Sequence, residues 1–87
     1  MDNHAIADRL IHHAHELETR RANLYRIRAY RRAAATLLTL EKPVAEVVAE
    51  QGRQGLERLP GIGAHLSYTI DELVRTGEWR TLNPEGP

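Results

Sequence analysis

Leu59-Pro-Gly-Ile-Gly-Ala64 sets one proline and two glycines directly ahead of His65, Leu66 and Ser67. The chemistry open to such a stretch is anion capture by main-chain N–H groups. Glycines at 61 and 63 permit positive φ and a hairpin too tight for a Cβ. They also clear side chains from the surface, so that backbone donors can touch a phosphate oxygen. A helix N terminus carries a partial positive charge and up to four N–H groups with no intrahelical partner. No Asp or Glu occurs between Leu59 and Ile70, so nothing acidic repels an anion there. The candidate phosphate ligands are Gly61, Ile62, Gly63, Ala64, His65 and Ser67, with Ile62 turned inward to pin the hairpin. A contact of this kind reads the strand and not its bases.

A second signal is electrostatic. The chain has 87 residues and zero formal net charge, yet six of its twelve basic side chains fall between Thr19 and Leu40, where there is no Asp or Glu. All six are arginines: Arg20, Arg21, Arg26, Arg28, Arg31 and Arg32. Local potential, not the global sum, attracts a polyanion. Other chemistries find little support. With no Cys there is neither a disulfide framework nor a thiolate metal site. No apolar run approaches the roughly 20 residues of a membrane span, and no signal-peptide hydrophobic region leads the chain. A cytoplasmic protein is expected, at the nucleoid if the source is bacterial. His4, Asp8, His12 and Glu16 recur every four residues, but an i+4 row drifts around a helix, so only neighbours could chelate. A solvated face is the expectation for them. No Ser-His-Asp set, paired catalytic carboxylates or P-loop is present.

The elements that must hold these residues all read as helix. Ile6, Leu10, Ala14 and Leu17 form one apolar stripe, with His13 beside it, on a first helix capped by Asn3 and ending near Glu18. Asn23 caps a second helix, whose buried face is Ile27, Tyr30, Ala34, Leu37 and Leu38. Pro43 suits the first turn of a third, with Val44, Val47 and Val48 inward and Gly52 as its left-handed stop. A short turn from Leu56 to Leu59 leads into the hairpin. A last helix over 64–76 buries Leu66, Ile70 and Leu73 and stops at Gly77, after which Trp79 and Leu82 fold back. The expected architecture is an all-α bundle of about five short helices over 1–82, followed by a flexible tail or linker stub, 83–87. A chain this size buries only roughly 60–65% of its unfolded surface and is modestly stable.

Residues 23–34, Asn-Leu-Tyr-Arg-Ile-Arg-Ala-Tyr-Arg-Arg-Ala-Ala, together with Leu59-Pro-Gly-Ile-Gly63, Ile70-Asp-Glu-Leu73 and Thr76-Gly77, resemble the amino-terminal domain of family X DNA polymerases. This is the polymerase beta-like lyase domain, and it ends in a helix-hairpin-helix motif. The resemblance runs through nearly the whole chain in the same order and with similar spacing. It implies DNA as the partner and a 5′-phosphate bound with the help of Arg26 and Tyr30. It also implies a monovalent cation, Na+ or K+, held by the backbone carbonyls of Glu57, Leu59 and Ile62. The family's Schiff-base lysine falls at Thr69, which cannot form an imine, and other family lysines fall at His65 and Glu57. The chain's one lysine, Lys42, lies far from the hairpin.

The expectation is a DNA-binding domain of repair or replication, without sequence preference and without lyase chemistry. Arg26, Arg28, Arg31 and Arg32 provide attraction, and Tyr30 helps to position a 5′-phosphate. A monomer is favoured, alone or as part of a longer repair protein. Two other readings stay open. One is a polymerase fragment that keeps 5′-deoxyribose phosphate lyase activity. The other is a helical protein-interaction module that uses Val44, Val47, Val48 and Trp79.

Overall fold

Asp2, not Asn3, starts the first helix. Its side chain accepts the Ala5 N–H at 2.8 Å, the ordinary work of an N-cap. Four helices then follow through residues 1–79, the part of the chain described by the computed structural model: α1, Asn3–Thr19; α2, Leu24–Thr39; α3, Val44–Glu57; and α4, Ala64–Thr76. The expected positions of Leu82 and of the tail at 83–87 lie outside the described residues.

Asn3 does something else. Its amide donates to the Lys42 carbonyl at 3.0 Å and accepts the Val44 N–H at 2.7 Å. Pro43 stands at the N-cap of α3, rather than in its first turn, and has no side-chain oxygen to offer. Asn3 therefore supplies from α1 the cap that α3 lacks, and it ties the two helix starts together. Asn23 caps α2 as expected, accepting the Tyr25 N–H at 2.7 Å.

The expected count of five helices becomes four. Gly52 does interrupt the third, at φ 70° and ψ −166°, but the helix resumes at once and runs on to Glu57. The break expected at Gly52 is there, and the turn expected to begin at Leu56 is the end of the second of two helical segments that meet at that kink within α3. Gly77 ends α4 in the left-handed conformation, φ 74°, with its N–H on the Leu73 carbonyl at 2.9 Å. The end of α1 is less usual. Ala22 N–H reaches the Leu17 carbonyl at 2.9 Å and Arg21 N–H the Glu18 carbonyl at 3.0 Å, a Schellman closure. The residue that must turn left-handed there is Arg21, φ 59°. A Cβ in that region costs about 1–2 kcal/mol.

α1 pairs with α2, α3 pairs with α4, and α4 also touches α1. The core takes Ile6, Ala7, Leu10, Ala14 and Leu17 from α1 and Ile27, Tyr30, Ala33, Ala34 and Leu37 from α2. Val44, Val47, Leu56, Ile62, Leu66, Ile70 and Leu73 complete it. Leu38 is not part of it: it lies 44% exposed, since Leu37 holds the inward position and the next residue turns about 100° away. Val48 is only half-buried. His13 goes deeper than its place beside the stripe suggested. It is buried edge-on to the Tyr30 ring, centroids 4.9 Å apart, with Trp79 folded over it at 5.0 Å. Among the described residues no helix is long and apolar enough to cross a membrane.

Candidate nucleic-acid interface

The connection from α3 to α4 is a tight turn. Leu59 N–H bonds the Leu56 carbonyl at 3.0 Å, and Ile62 N–H bonds the Leu59 carbonyl at 3.2 Å. Ile62 points into the core, as expected. The two glycines beside it differ. Gly61 has φ 79°, which favours glycine, whereas Gly63 has φ −96° and ψ −168°, extended backbone that any residue adopts. The expectation that both glycines serve positive φ therefore holds only at Gly61. What Gly63 contributes is bareness: a Cβ there would meet nothing within 4 Å.

Gly63 is the N-cap of α4, and no side chain caps it. The first internal bond of the helix is Ser67 N–H to the Gly63 carbonyl, 2.9 Å. The earlier amides, Ala64 and Leu66 among them, thus have no intrahelical acceptor. No acidic residue lies in the first turn of α4 itself, and the nearby carboxylate is that of Glu57, 3.3 Å from the Ser67 hydroxyl.

The second helix docks against this turn along one row, Arg28, Arg32 and Thr36, four residues apart. Thr36 Oγ1 donates to the Pro60 carbonyl at 2.6 Å and fastens the turn to α2. One turn of helix earlier, Arg32 lies across Gly61 so closely that a Cβ there would stand 2.5 Å from its Cδ. Between α2 and the turn runs an open groove of ≈ 700 Å³. Arg26, Arg28, Tyr30 and Arg32 line one wall, and Gly61, Ile62, Gly63, Ala64 and His65 the other. Glu57 and Leu59 also line it, as does Tyr25, 80% exposed.

Most of the residues singled out by sequence thus meet in one place, but three depart from the expectation, and two of these, Ser67 and Arg31, do not line the groove. Tyr30 is buried, and what approaches His65 is its hydroxyl, 3.4 Å from Nε2. Ser67 turns inward instead of toward a phosphate, because its hydroxyl donates to the Ala64 carbonyl at 2.8 Å, with Glu57 Oε2 3.3 Å away. Arg31 faces α1, where it pairs with Glu18 at 3.0 Å, and is absent from the groove lining. Thr69 is buried, with its hydroxyl on the His65 carbonyl at 3.3 Å.

Sequence reasoning missed Thr36 and the cover that Arg32 gives Gly61. The i+4 row from Arg28 was visible, but nothing in it says that a proline carbonyl lies opposite. On α1, His12 stands 3.3 Å and His13 3.8 Å from Glu16, and His15 stands 4.0 Å from Glu18. Among the described residues no three such groups gather as a metal site.

A family model described as a helix-hairpin-helix domain matches residues 1–79. No curated protein matches the chain.

Proposed function

This chain belongs to the helix-hairpin-helix domain family, and from that premise we propose that it binds DNA through the strand backbone, without regard to sequence. Domains of this kind are generally DNA-binding. The observation that carries the proposal is the uncapped start of α4, bare at Gly63 and opening onto a groove lined by Arg26, Arg28 and Arg32. Main-chain donors and the helix end hold a phosphate there, and the arginines draw the strand in. His65, exposed in the first turn, adds a side-chain donor.

The finer reading is a role in repair or replication, on gapped or 5′-phosphorylated DNA. It rests on the likeness of residues 23–34 and 59–77 to the amino-terminal domain of family X polymerases. The deciding experiment titrates the protein with duplex, gapped and 5′-phosphorylated gapped DNA at two salt concentrations. Affinity should fall steeply with salt, each neutralised duplex phosphate adding about 0.9 to the log–log slope. Absent or salt-insensitive binding overturns the proposal, and equal affinity for all three substrates removes the finer one.

Lyase chemistry is not part of the proposal. An imine needs an amine, and Thr69 offers a buried hydroxyl already bonded to a carbonyl. Borohydride should trap no adduct on abasic DNA, and an adduct would reverse this. A protein-docking face built on Val44 and Val47 finds no support, since both lie in the core. A monovalent cation, Na+ or K+, on the carbonyls of Glu57, Leu59 and Ile62 remains compatible with the turn. The Leu59 carbonyl accepts one hydrogen bond, from Ile62, and keeps a second lone pair. Replacing K+ by a bulky organic cation at equal ionic strength should then weaken binding.

A further inference from the structure

We propose that the turn between α1 and α2 is a second DNA-backbone contact, made by the side chains of Arg20 and Arg21, which lengthens the footprint beyond the hairpin. The inference rests on the DNA-binding reading above.

Its starting point is a conformational exception. Among the described residues positive φ occurs at Gly52, Gly61, Gly77 and Arg21. Three of the four are glycines, which adopt that region freely. Arg21 is the one that bears a side chain there, in a closure where glycine would serve the fold better. A cation at this helix C terminus gains about 0.3–1 kcal/mol from the helix dipole at an exposed site, which does not exceed the left-handed cost of about 1–2 kcal/mol.

Placement gives the cation a use. The Schellman closure spends its main-chain donors inside the turn, and Asn23 takes the Tyr25 N–H. Of the amides in this turn only those of Asn23 and Leu24 lack an acceptor among the described residues, so a ligand here is met chiefly by side chains. Arg20 and Arg21 are both exposed, and neither has an ion pair among the described residues. The nearest acid in sequence, Glu18, is occupied by Arg31 at 3.0 Å, with His15 at 4.0 Å.

The turn also adjoins the groove, which Tyr25 in the first turn of α2 lines. Arg32 rests on Gly61, and eight residues back along α2, about 12 Å at the usual rise, stands Leu24. Tyr25, beside Leu24, still lines the groove, and residues 20–23 come just beyond. One strand of duplex DNA advances about 3.4 Å per phosphate, so the turn stands roughly four phosphates from the hairpin. A single duplex can reach both.

The test is Arg21→Gly, because stability and binding should then move in opposite directions. Glycine relieves the left-handed strain, so the thermal midpoint should rise by a few degrees. Affinity for a blunt duplex of random sequence should fall about threefold to tenfold at low salt. The log–log salt slope should flatten by about 0.9. Arg21→Lys should restore the wild-type slope and, with a Cβ again at that φ, lose the gain in midpoint. Unchanged affinity and slope in Arg21→Gly, while the wild type binds and Gly61→Val with Gly63→Val does not, overturns this inference alone. A wild type that does not bind duplex DNA overturns this inference and the DNA-binding reading together.

Discussion

A methyl group added at Gly63 meets open space, whereas one added at Gly61 would stand 2.5 Å from Arg32 Cδ with φ at 79°. The two substitutions should therefore separate fold from function. Gly63→Ala should lower the thermal midpoint by only a few degrees, since the N-cap preference for glycine over alanine is partly offset by the chain entropy that alanine removes from the unfolded state. It should weaken DNA binding about tenfold, because the methyl stands where a phosphate oxygen approaches the amides and one charge-assisted bond is lost. Gly61→Ala should lower stability itself, by about 1–2 kcal/mol in urea denaturation, as the left-handed region and Arg32 both resist it. Equal melting losses in the two variants would show that the bare N terminus of α4 is structural only. In the sequence Gly61 and Gly63 look interchangeable, because a Gly-x-Gly spacing says that room is needed and not whether backbone or ligand needs it. Ser67 misled for a related reason: a hydroxyl near a helix start is equally able to bond the carbonyl three residues back, and here it does.

Helices are joined in this molecule by single polar side chains. Asn3 caps α3 from α1, and Thr36 holds the hairpin from α2. Asn3→Ala removes both its bonds and leaves the first N–H of α3 without an acceptor, a loss of about 1–2 kcal/mol by chemical denaturation. Thr36→Val keeps the shape and removes the bond to Pro60. Amide hydrogen exchange should quicken in the hairpin, at Ile62 above all, with little change in α1. Gly52→Ala places a Cβ at φ 70° and ψ −166°, a region essentially reserved for glycine, and should cost about 1–3 kcal/mol. A melt equal to wild type would mean that the α3 kink relaxes away. The helices themselves could be read from the chain, since apolar spacings of three and four mark α1, α2 and α4, and local caps start or end them, as Asn23 does for α2 and Gly77 for α4. Links such as Asn3 to Val44 could not. A cap is recognised by its neighbours in sequence, and this one serves a helix start 41 residues away.

At the scale of the whole molecule, zero net charge conceals a division of labour. On the α1 side Glu18 meets Arg31 and Glu16 meets His12. On the groove side Arg28 and Arg32 have no ion pair among the described residues. Arg28→Ala with Arg32→Ala should accordingly flatten the salt slope by close to two phosphates, about 1.8. Arg31→Ala, which breaks an exposed pair, should change slope and stability little. The run of six arginines gave the right stretch of chain but not this partition, because a helix sends neighbours in sequence to different faces. The interior offers one more consequence. Trp79 is the molecule's sole indole, and it rests on His13 and on Tyr30, whose hydroxyl approaches His65 at the groove. Occupancy of the groove should therefore alter the tryptophan's emission, giving the protein a built-in optical gauge that follows binding without any attached dye.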